Sequence, residues 1–235
     1  MDIITALEIG KKSLITMVGG GGKTTGLFLL AKQLENSLLT STTKFYRPPL
    51  DENITLVKWP QCKGEEGKIP LIYSQVEGEK VVGIDVEAVE KLKSLSLYEH
   101  ILCEGDGARM KPLKVWKEGE PVIPPSTSHL VINIGAKVIG KRWGNEWVHR
   151  HELLSFPNEI INLSTLIKMA EKGVFNFQRG KDSKVFLTIN QWDVVGDNIS
   201  LDEMVGFGEK IKKTVPDIYK VLFLSYEKNR VYCEI

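Results

Sequence analysis

Residues 13–25 read Ser-Leu-Ile-Thr-Met-Val-Gly-Gly-Gly-Gly-Lys-Thr-Thr, and this stretch decides the fold. Ser13–Val18 is a short apolar run of the kind that forms a buried β-strand, and it stops at four glycines. Beyond the glycines, apolar residues recur at helical spacing over Thr24–Glu35. The sequence therefore predicts a strand, a tight loop and a helix in that order.

The glycine run has the chemistry of a phosphate-binding loop. Side chains would obstruct the approach of an anion to the backbone N–H groups, and the positive end of the following helix points at the same place. The Lys23 ammonium would reach the β- and γ-phosphates, and the Thr24 hydroxyl would bind Mg²⁺. We predict that ATP or GTP, with Mg²⁺, is bound by Gly19, Gly20, Gly21, Gly22, Lys23, Thr24 and Thr25.

The loop resembles known P-loops through its Gly-Lys-Thr core. It is similar to the GGxGKTT variant of many metallocentre-maturation NTPases and to the Mur-ligase loop. The match to GxxxxGK[ST] is incomplete, because the first glycine of that pattern falls at Met17. The variant class often carries an extra lysine at the position of Val18, so a mechanism that relies on that lysine has no support here.

The rest of the chain alternates between strand and helix patterns, which predicts a three-layer P-loop NTPase-like α/β fold. Its sheet should be mostly parallel, with helices on both faces. We assign residues 1–235 to a single nucleotide-binding domain. Within it, residues 46–70 hold Pro48, Pro49, Pro60 and Pro70 and look loop-rich, and Leu71–Val76 with Lys80–Ile84 suggests a β-hairpin. The domain thus carries an excursion over about 46–84. The further predicted strands are Ser37–Thr40, His100–Cys103, His129–Ile134, Lys184–Ile189, Tyr219–Leu224 and Arg230–Glu234, and the further helices are Val86–Leu95, Ser164–Lys172 and Leu201–Thr214.

A second candidate feature is acidic. The predicted strand His100–Cys103 ends at Glu104-Gly105-Asp106-Gly107, at the sheet edge where ligands bind in open α/β folds. One carboxylate would hold Mg²⁺ directly or through water, and the other would position the attacking water or acceptor. Together with Lys23, we take Glu104 and Asp106 as the catalytic candidates, without deciding between them as the metal ligand.

A third feature follows a later strand. Asn190-Gln191-Trp192-Asp193 looks like the Asn-Lys-x-Asp element of GTPases, with Gln191 where lysine is usual. In that element the aspartate accepts hydrogen bonds from the guanine edge, which adenine cannot supply. Asn190 and Asp193 therefore favour GTP over ATP, although an ordinary Asn/Asp turn explains the pattern as well.

The bulk composition excludes several classes of function. The 31 Lys and Arg residues balance 30 Asp and Glu residues, which leaves no broadly basic surface for nucleic acid. The longest apolar runs fall far short of the roughly 20 residues that span a bilayer. Three widely spaced cysteines form neither a CxxC pair nor a disulfide framework. We expect a cytoplasmic protein without nucleic-acid or membrane partners.

The collected blocks resemble the selenium-dependent hydroxylase accessory protein family (YqeC-type). The resemblance rests on segments 18–25, 40–44, 104–109, 112–114, 120–124, 148–150 and 190–193, in the expected order over most of the chain. It departs from the family at Ser41, where threonine is typical, and at Gly105, where alanine is typical. The resemblance implies a P-loop protein that assists the maturation of selenium-dependent molybdenum hydroxylases, with such a hydroxylase or its maturation proteins as partner. It also implies that Lys114 and Glu120 lie near the nucleotide or acceptor.

Some polar residues remain as weaker candidates. Thr43 and Lys44 follow the second strand and would face the γ-phosphate, or else belong to a solvated loop. His149 and Arg150 would touch phosphate or substrate, or else begin a polar helix.

The resulting functional hypothesis is a Mg²⁺-dependent NTP hydrolase or phosphoryl or nucleotidyl transferase that serves metallocofactor or selenium insertion. One alternative is a Mur-ligase-like ATP-dependent ligase or small-molecule kinase, for which a specific small acceptor would stimulate ATP turnover. The other is a non-catalytic module that docks a client enzyme under control of the nucleotide. Tight binding with slow turnover would identify it.

Overall fold

The computed structural model describes residues 1–46, 53–156, 159–195 and 198–235. Strands and helices alternate along most of this chain, and several 3₁₀ turns and short strands connect them. The helices are α1 (Ile3–Ala6), α2 (Lys23–Gln33), α3 (Val86–Ser94), α4 (Leu163–Glu171) and α5 (Leu201–Thr214). The strands are β1 (Ser13–Gly19), β2 (Ser37–Ser41), β3 (Lys44–Tyr46), β4 (Ile54–Lys58), β5 (Ile69–Tyr73), β6 (Gln75–Glu77), β7 (Lys80–Val82), β8 (His100–Glu104), β9 (Leu113–Lys114), β10 (His129–Gly135), β11 (Val148–His149), β12 (Lys184–Asn190), β13 (Ile218–Ser225) and β14 (Arg230–Glu234).

The central sheet has the strand order β14-β13-β12-β10-β1-β8-β2-β5-β4. Every neighbouring pair is parallel except β13 and β14, which are antiparallel. The prediction of a mostly parallel sheet is confirmed. Within this sheet, the strands that precede β10 in the chain lie on one side of β1, and the strands from β10 onward lie on the other. The carboxyl end of β1 is thus the switch point where α/β sheets hold ligands.

Helices cover both faces of this sheet. Successive side chains of a strand point to opposite faces, so the residues they pack against show which helices cover each face. In β10, Leu130, Ile132 and Ile134 pack on the face covered by α4 and α5, whereas Val131 packs on the face covered by α1 and α2. Helix α3 covers the first of these faces beside β8 and β2, because its apolar residues cluster with Leu14 and Ile101. Three layers result, as the sequence predicts.

The register of the central strands brings the glycine loop and the acidic strand end together. Met17 of β1 is paired with Glu104 of β8, and Gly19 is paired with Asn133 of β10. All three strands therefore end at the same level. The polar residues that follow them lie around the start of α2.

Residues 46–84 differ in part from the prediction. Part of the stretch expected to be loop-rich is β4, which forms the edge of the main sheet beside β5. The predicted strand 71–76 is broken after Tyr73: the apolar β5 joins the main sheet, and the exposed β6 pairs with β7 in a separate three-stranded sheet with β3. Only the β6–β7 turn of the predicted hairpin is therefore correct. The sequence did not indicate β4, because prolines and charged residues flank its short apolar run. Pro48 and Pro49 lie outside the described residues.

Within the described ranges, no helix combines the length and the apolar character needed to cross a membrane.

Candidate functional site

The glycine loop joins β1 to α2 in a backbone conformation that residues other than glycine rarely adopt. Gly19, Gly21 and Gly22 have φ angles of +95°, +74° and +109°, in the left-handed region that glycine enters without steric cost. A Cβ atom at Gly21 would lie 2.2 Å from Gly135 Cα, and one at Gly22 would lie 2.3 Å from Asn190 Nδ2. The glycines are therefore required by the way the loop packs, whatever else the loop binds.

Several N–H groups of the loop already donate hydrogen bonds within the protein. The Gly19 amide donates to both carboxylate oxygens of Asp106 at 3.1 and 3.0 Å, and the Gly20 amide donates to the Asn133 carbonyl at 2.9 Å. The Gly21 amide donates to the Lys111 carbonyl at 3.1 Å. The first N–H groups of a helix have no partner inside it. The amides at the start of α2, from Lys23 to Thr25, are thus the ones directed to the space ahead of the helix.

Lys23 is buried at the first turn of α2 and faces two carboxylates. Its side chain is 5% exposed, and its ammonium lies 3.1 Å from Asp106 Oδ1 and 3.7 Å from Glu104 Oε1. It also donates a hydrogen bond to the Gly19 carbonyl at 2.5 Å. The three residues that the sequence selects as catalytic candidates therefore form one cluster.

The cluster perturbs the protonation of its own members. Burial acts to lower the pKa of the Lys23 ammonium, but the negative charges of Asp106 and Glu104 outweigh it, and the pKa is raised. Burial raises the pKa of the Glu104 carboxyl group, and the charge of Lys23 only partly offsets this effect. Buried groups with shifted pKa values beside specific charged partners are typical of functional sites.

Thr24 and Glu104 form a second contact in the same place. The Thr24 hydroxyl donates to Glu104 Oε2 at 3.1 Å, so both oxygens lie close together beside the start of α2. Lys44 is not brought into this cluster, because its ammonium pairs with Glu77 at 2.6 Å in the small sheet. Thr43 lies next to Ser41, whose hydroxyl donates to the Thr43 and Glu104 carbonyls.

The Asp106 carboxylate is the centre of the site's hydrogen bonding. Besides Lys23 and the Gly19 amide, it accepts a hydrogen bond from the Trp116 indole N–H and pairs with the Lys114 ammonium at 3.1 Å. Both Asp106 and Lys114 are fully buried. This carboxylate therefore balances two buried ammonium groups and fixes the start of the glycine loop.

A line of charges extends from Asp106 away from the loop. The Lys114 ammonium lies 2.9 Å from Glu120 Oε2, and Arg150 Nη2 donates to Glu120 Oε1 at 2.9 Å. Burial opposes ionisation of Glu120, but the hydrogen bonds from Arg150 and Lys114 prevail and lower its pKa to about 2. Lys114 and Glu120 are thus linked to the glycine loop through Asp106. His149 is the last residue of β11, is paired with Lys114 of β9, and lies close to Lys114 and Arg150.

The Asn-Gln-Trp-Asp element lies at the end of β12. The Asn190 side chain bridges two neighbouring segments: its Nδ2 donates to the Gly21 carbonyl at 2.7 Å, and its Oδ1 accepts from the Tyr226 amide at 2.9 Å. Asn190 thus supports the glycine loop rather than facing outward. Asp193 lies in the following 3₁₀ turn and is half-buried.

Three residues of the site did not stand out in the sequence. Asn133 Oδ1 accepts from the Tyr226 hydroxyl at 2.7 Å and from the Thr188 hydroxyl at 2.8 Å, which ties β10, β12 and β13 together below the loop. Trp116 holds Asp106, as described above. The signal for Asn133 was present, since a lone amide inside the apolar run 129–134 must find buried partners. Nothing in the sequence around Trp116 or Tyr226 indicates their partners.

In the described part of the chain, no three His, Cys, Asp or Glu side chains converge as a metal site would require. A hard cation such as Mg²⁺ can be held with fewer protein side chains than that. Mg²⁺ commonly binds in that way, since it keeps several waters and takes one or two carboxylates together with substrate phosphates.

Comparison with known proteins gives one consistent result. The family model described as YqeC protein matches residues 15–152, which include the glycine loop, the acidic strand end and Arg150. The uncharacterized protein YqeC of Escherichia coli (strain K12) is 30% identical over 173 residues, covering 68% of this chain and 68% of that protein. No solved structure matches the chain significantly.

Proposed function

We propose a function for this chain, which belongs to the YqeC family, from that membership and from the geometry of the site. In this proposal it is a Mg²⁺-dependent protein that binds a nucleoside triphosphate and either hydrolyses it or transfers a phosphoryl group from it. Its proposed role is to assist the maturation of selenium-dependent molybdenum hydroxylases. The observation that carries the proposal is the buried cluster of Lys23, Glu104 and Asp106 at the first turn of α2.

A buried group of charges is a poor way to stabilise a fold. Removing charges from water costs several kcal/mol for each ion, and well-packed apolar residues often serve stability as well or better. The cluster lies where the positive end of α2 and its first amides, from Lys23 to Thr25, favour an anion. This placement supports an anion-binding function for Lys23 over a purely structural one.

In the proposed complex, the Lys23 ammonium moves from its carboxylate partners to the triphosphate. A triphosphate carries more negative charge than the two carboxylates, and the ammonium is already desolvated within reach of the helix start. Positioning and charge neutralisation are most of what phosphoryl transfer requires. Gly19, Gly20 and Gly21, whose amides are engaged within the protein, shape the loop in this proposal, whereas the amides that follow them contact phosphate.

The donor set fits Mg²⁺ at Thr24 and Glu104. Both contribute oxygen atoms, which Mg²⁺ prefers, and the two oxygens already lie 3.1 Å apart. Asp106 fits less well, because the Gly19 amide, Trp116, Lys23 and Lys114 occupy its carboxylate. We therefore assign the metal contact to Glu104 and the positioning of the loop to Asp106. When bound, the metal ion would neutralise charge on the phosphates during transfer.

The choice of base is proposed to depend on Asp193. Asn190 is engaged with the loop and with Tyr226, so its amide is not available to a base. Asp193 follows at the same sheet edge, and its side chain is half-buried. A carboxylate can accept two hydrogen bonds from adjacent N–H groups of guanine, and adenine does not offer that pair of donors. GTP is therefore the proposed nucleotide, and ATP is the alternative.

The test is calorimetric titration of the protein with ATP and GTP in the presence of Mg²⁺. Wild-type protein should bind at least one of them, and Lys23→Ala should bind at least tenfold more weakly. Lys23→Met keeps the length of the side chain and guards against a packing defect. Lys213→Ala removes an exposed lysine from α5 and is the matched control. Absence of any triphosphate binding by the wild type, or unchanged binding by both Lys23 variants, would exclude the proposal.

The role in maturation needs a separate measurement. A purified selenium-dependent molybdenum hydroxylase should be retained by the immobilised protein in a manner that depends on the nucleotide and on Lys23. Retention that is the same with wild type and Lys23→Met, with or without nucleotide, would contradict that role while leaving nucleotide binding intact.

A further inference from the structure

A small polar cleft lies beside residues 111–114, which also contact the glycine loop. Its lining residues are Arg109, Asn145, His149, Arg150 and Glu152, and its volume is about 190 Å³. Lys111 connects the two places: its carbonyl accepts from the Gly21 amide at 3.1 Å, and its ammonium donates to Asn145 Oδ1 at 2.6 Å. The cleft is therefore a neighbour of the candidate nucleotide site.

His149 faces this cleft without a partner. It is 8% exposed, and no group within residues 1–46, 53–156, 159–195 and 198–235 forms a hydrogen bond with its ring. Its ring nitrogens remain accessible through the cleft. The imidazole is thus an open hydrogen-bonding position directed at the cleft.

The charges around His149 are mainly positive. Burial lowers the pKa of its imidazole to about 4, and Lys114, Arg150, Arg109 and Lys111 add to the effect. The ring is therefore neutral at pH 7 and offers one N–H donor and one acceptor. A bound anion would offset the positive charges that keep this ring neutral.

The two arginines have donors to spare. No ion pair or hydrogen bond involves the Arg109 side chain within the described chain, and that side chain is exposed at the cleft. Arg150 uses Nη1 and Nη2 on Glu120, and a guanidinium has five N–H donors. Among the described residues, Glu152 is the one carboxylate that lines the cleft; its side chain is 63% exposed and lies 3.1 Å from His151 Nδ1.

We propose that this cleft binds the phosphate group of a small phosphorylated molecule other than the nucleotide. Guanidinium groups match the geometry of phosphate oxygens. A cleft with two guanidinium groups and an open imidazole should therefore bind a dianionic tetrahedral ligand more tightly than a ligand with one carboxylate group. Since a water occupies about 30 Å³ in the liquid, the cleft has room for a phosphate and a few waters. Molecules much larger than this would extend outside it.

The cleft is connected to the loop through ion pairs. Arg150 contacts Glu120, Glu120 contacts Lys114, Lys114 contacts Asp106, and Asp106 contacts Lys23. A phosphate that draws Arg150 toward the cleft would weaken its hold on Glu120. The bound molecule is then a second substrate held beside the nucleotide, and only this role rests on the function proposed above.

The test uses the histidine ring signals of the full chain, labelled with ¹⁵N and followed by NMR during titration with inorganic phosphate. The chain has four histidines, and His149→Gln identifies the signal of interest. The titration is run with and without a saturating non-hydrolysable triphosphate and Mg²⁺, so that phosphate at the glycine loop is displaced. Acetate at the same concentration tests the preference for a dianion.

The expected result is a saturable shift of the His149 signal with phosphate, with or without the triphosphate, and none with acetate. Arg109→Asn should weaken this binding at least tenfold; asparagine is suited to the φ of +50° at this position. Arg142→Asn, the same change at an exposed arginine outside the cleft, should not weaken it.

Three results would overturn the proposal: a His149 signal that does not move, phosphate binding that is equal in Arg109→Asn, or a shift that the triphosphate abolishes. The same samples report triphosphate binding directly. If the triphosphate fails to bind, the proposed function fails, and the phosphate titration still decides on the cleft alone.

Discussion

Asp106→Asn is the substitution that tests the described site most directly. The Asp106 side chain is fully buried and lies 3.1 Å from each of two ammonium groups, those of Lys23 and Lys114. It also accepts hydrogen bonds from the Gly19 amide and the Trp116 indole. Asparagine has nearly the same shape, but it has no charge and places an NH₂ group where the carboxylate has an oxygen.

The size of the stability loss depends on which carboxylate partners Lys23 and Lys114 keep after the substitution. Removing one partner of a buried ion pair costs about 3–5 kcal/mol. Lys23 keeps Glu104 at 3.7 Å, and Lys114 keeps Glu120 at 2.9 Å, so neither ammonium is left alone. We therefore expect the free energy of unfolding to fall by about 3 kcal/mol, in the lower part of that range. For a domain of this size, about 2–4 °C per kcal/mol gives a decrease in Tm of roughly 6–12 °C.

The assay is urea unfolding followed by circular dichroism and tryptophan fluorescence, with an unchanged m value as evidence that the folded state is intact. Asp217→Asn is the matched control, because the Asp217 carboxylate is 66% exposed and pairs with Arg179 at 3.0 Å. Such exposed pairs contribute about 0–1 kcal/mol. If Asp106→Asn costs no more than Asp217→Asn, Asp106 does not hold two buried cations, and our account of the site is refuted.

Three further predictions concern the loop, the ion pairs and the base. Gly21→Ala should lower the free energy of unfolding in urea by about 1–3 kcal/mol more than Gly67→Ala does. Both glycines have φ near +75°, but of the two only Gly21 has backbone atoms in the way of a Cβ, at 2.2 Å. Equal losses of stability would contradict the packing described. Because the pKa of Glu120 is lowered to about 2 from an ordinary 4.5, its contribution is full above about pH 4.5 and is lost as the pH falls toward 2. The stability difference between wild type and Glu120→Gln should shrink over that interval in acid titrations, and a constant difference would refute the assignment. Asp193→Ala should abolish any preference for GTP over ATP in calorimetry, and a preserved preference would rule out Asp193 as the reader of the base.

The sequence by itself determined the order of the main elements outside residues 46–84 and the location of the candidate site. Local patterns are sufficient for this purpose: the apolar run before the glycines forms β1, and α5 spans Leu201–Thr214 as its apolar spacing predicts. Its start is fixed by Ser200 and Glu203, whose side chains cap the helix reciprocally. The acidic end of β8 was also readable, because an apolar strand that ends in carboxylates is a local feature.

The tertiary structure alone decided which polar groups meet. Asp106 and Lys114 lie eight residues apart, and both are fully buried and paired with each other. Asn190, predicted to face a base, instead supports the glycine loop through Gly21. Such contacts depend on the register of strands that are far apart in the chain, and on the packing of residues 105–128 over the sheet edge. Local periodicity carries no information about either, because it determines which face of an element is apolar and not which polar groups lie opposite one another.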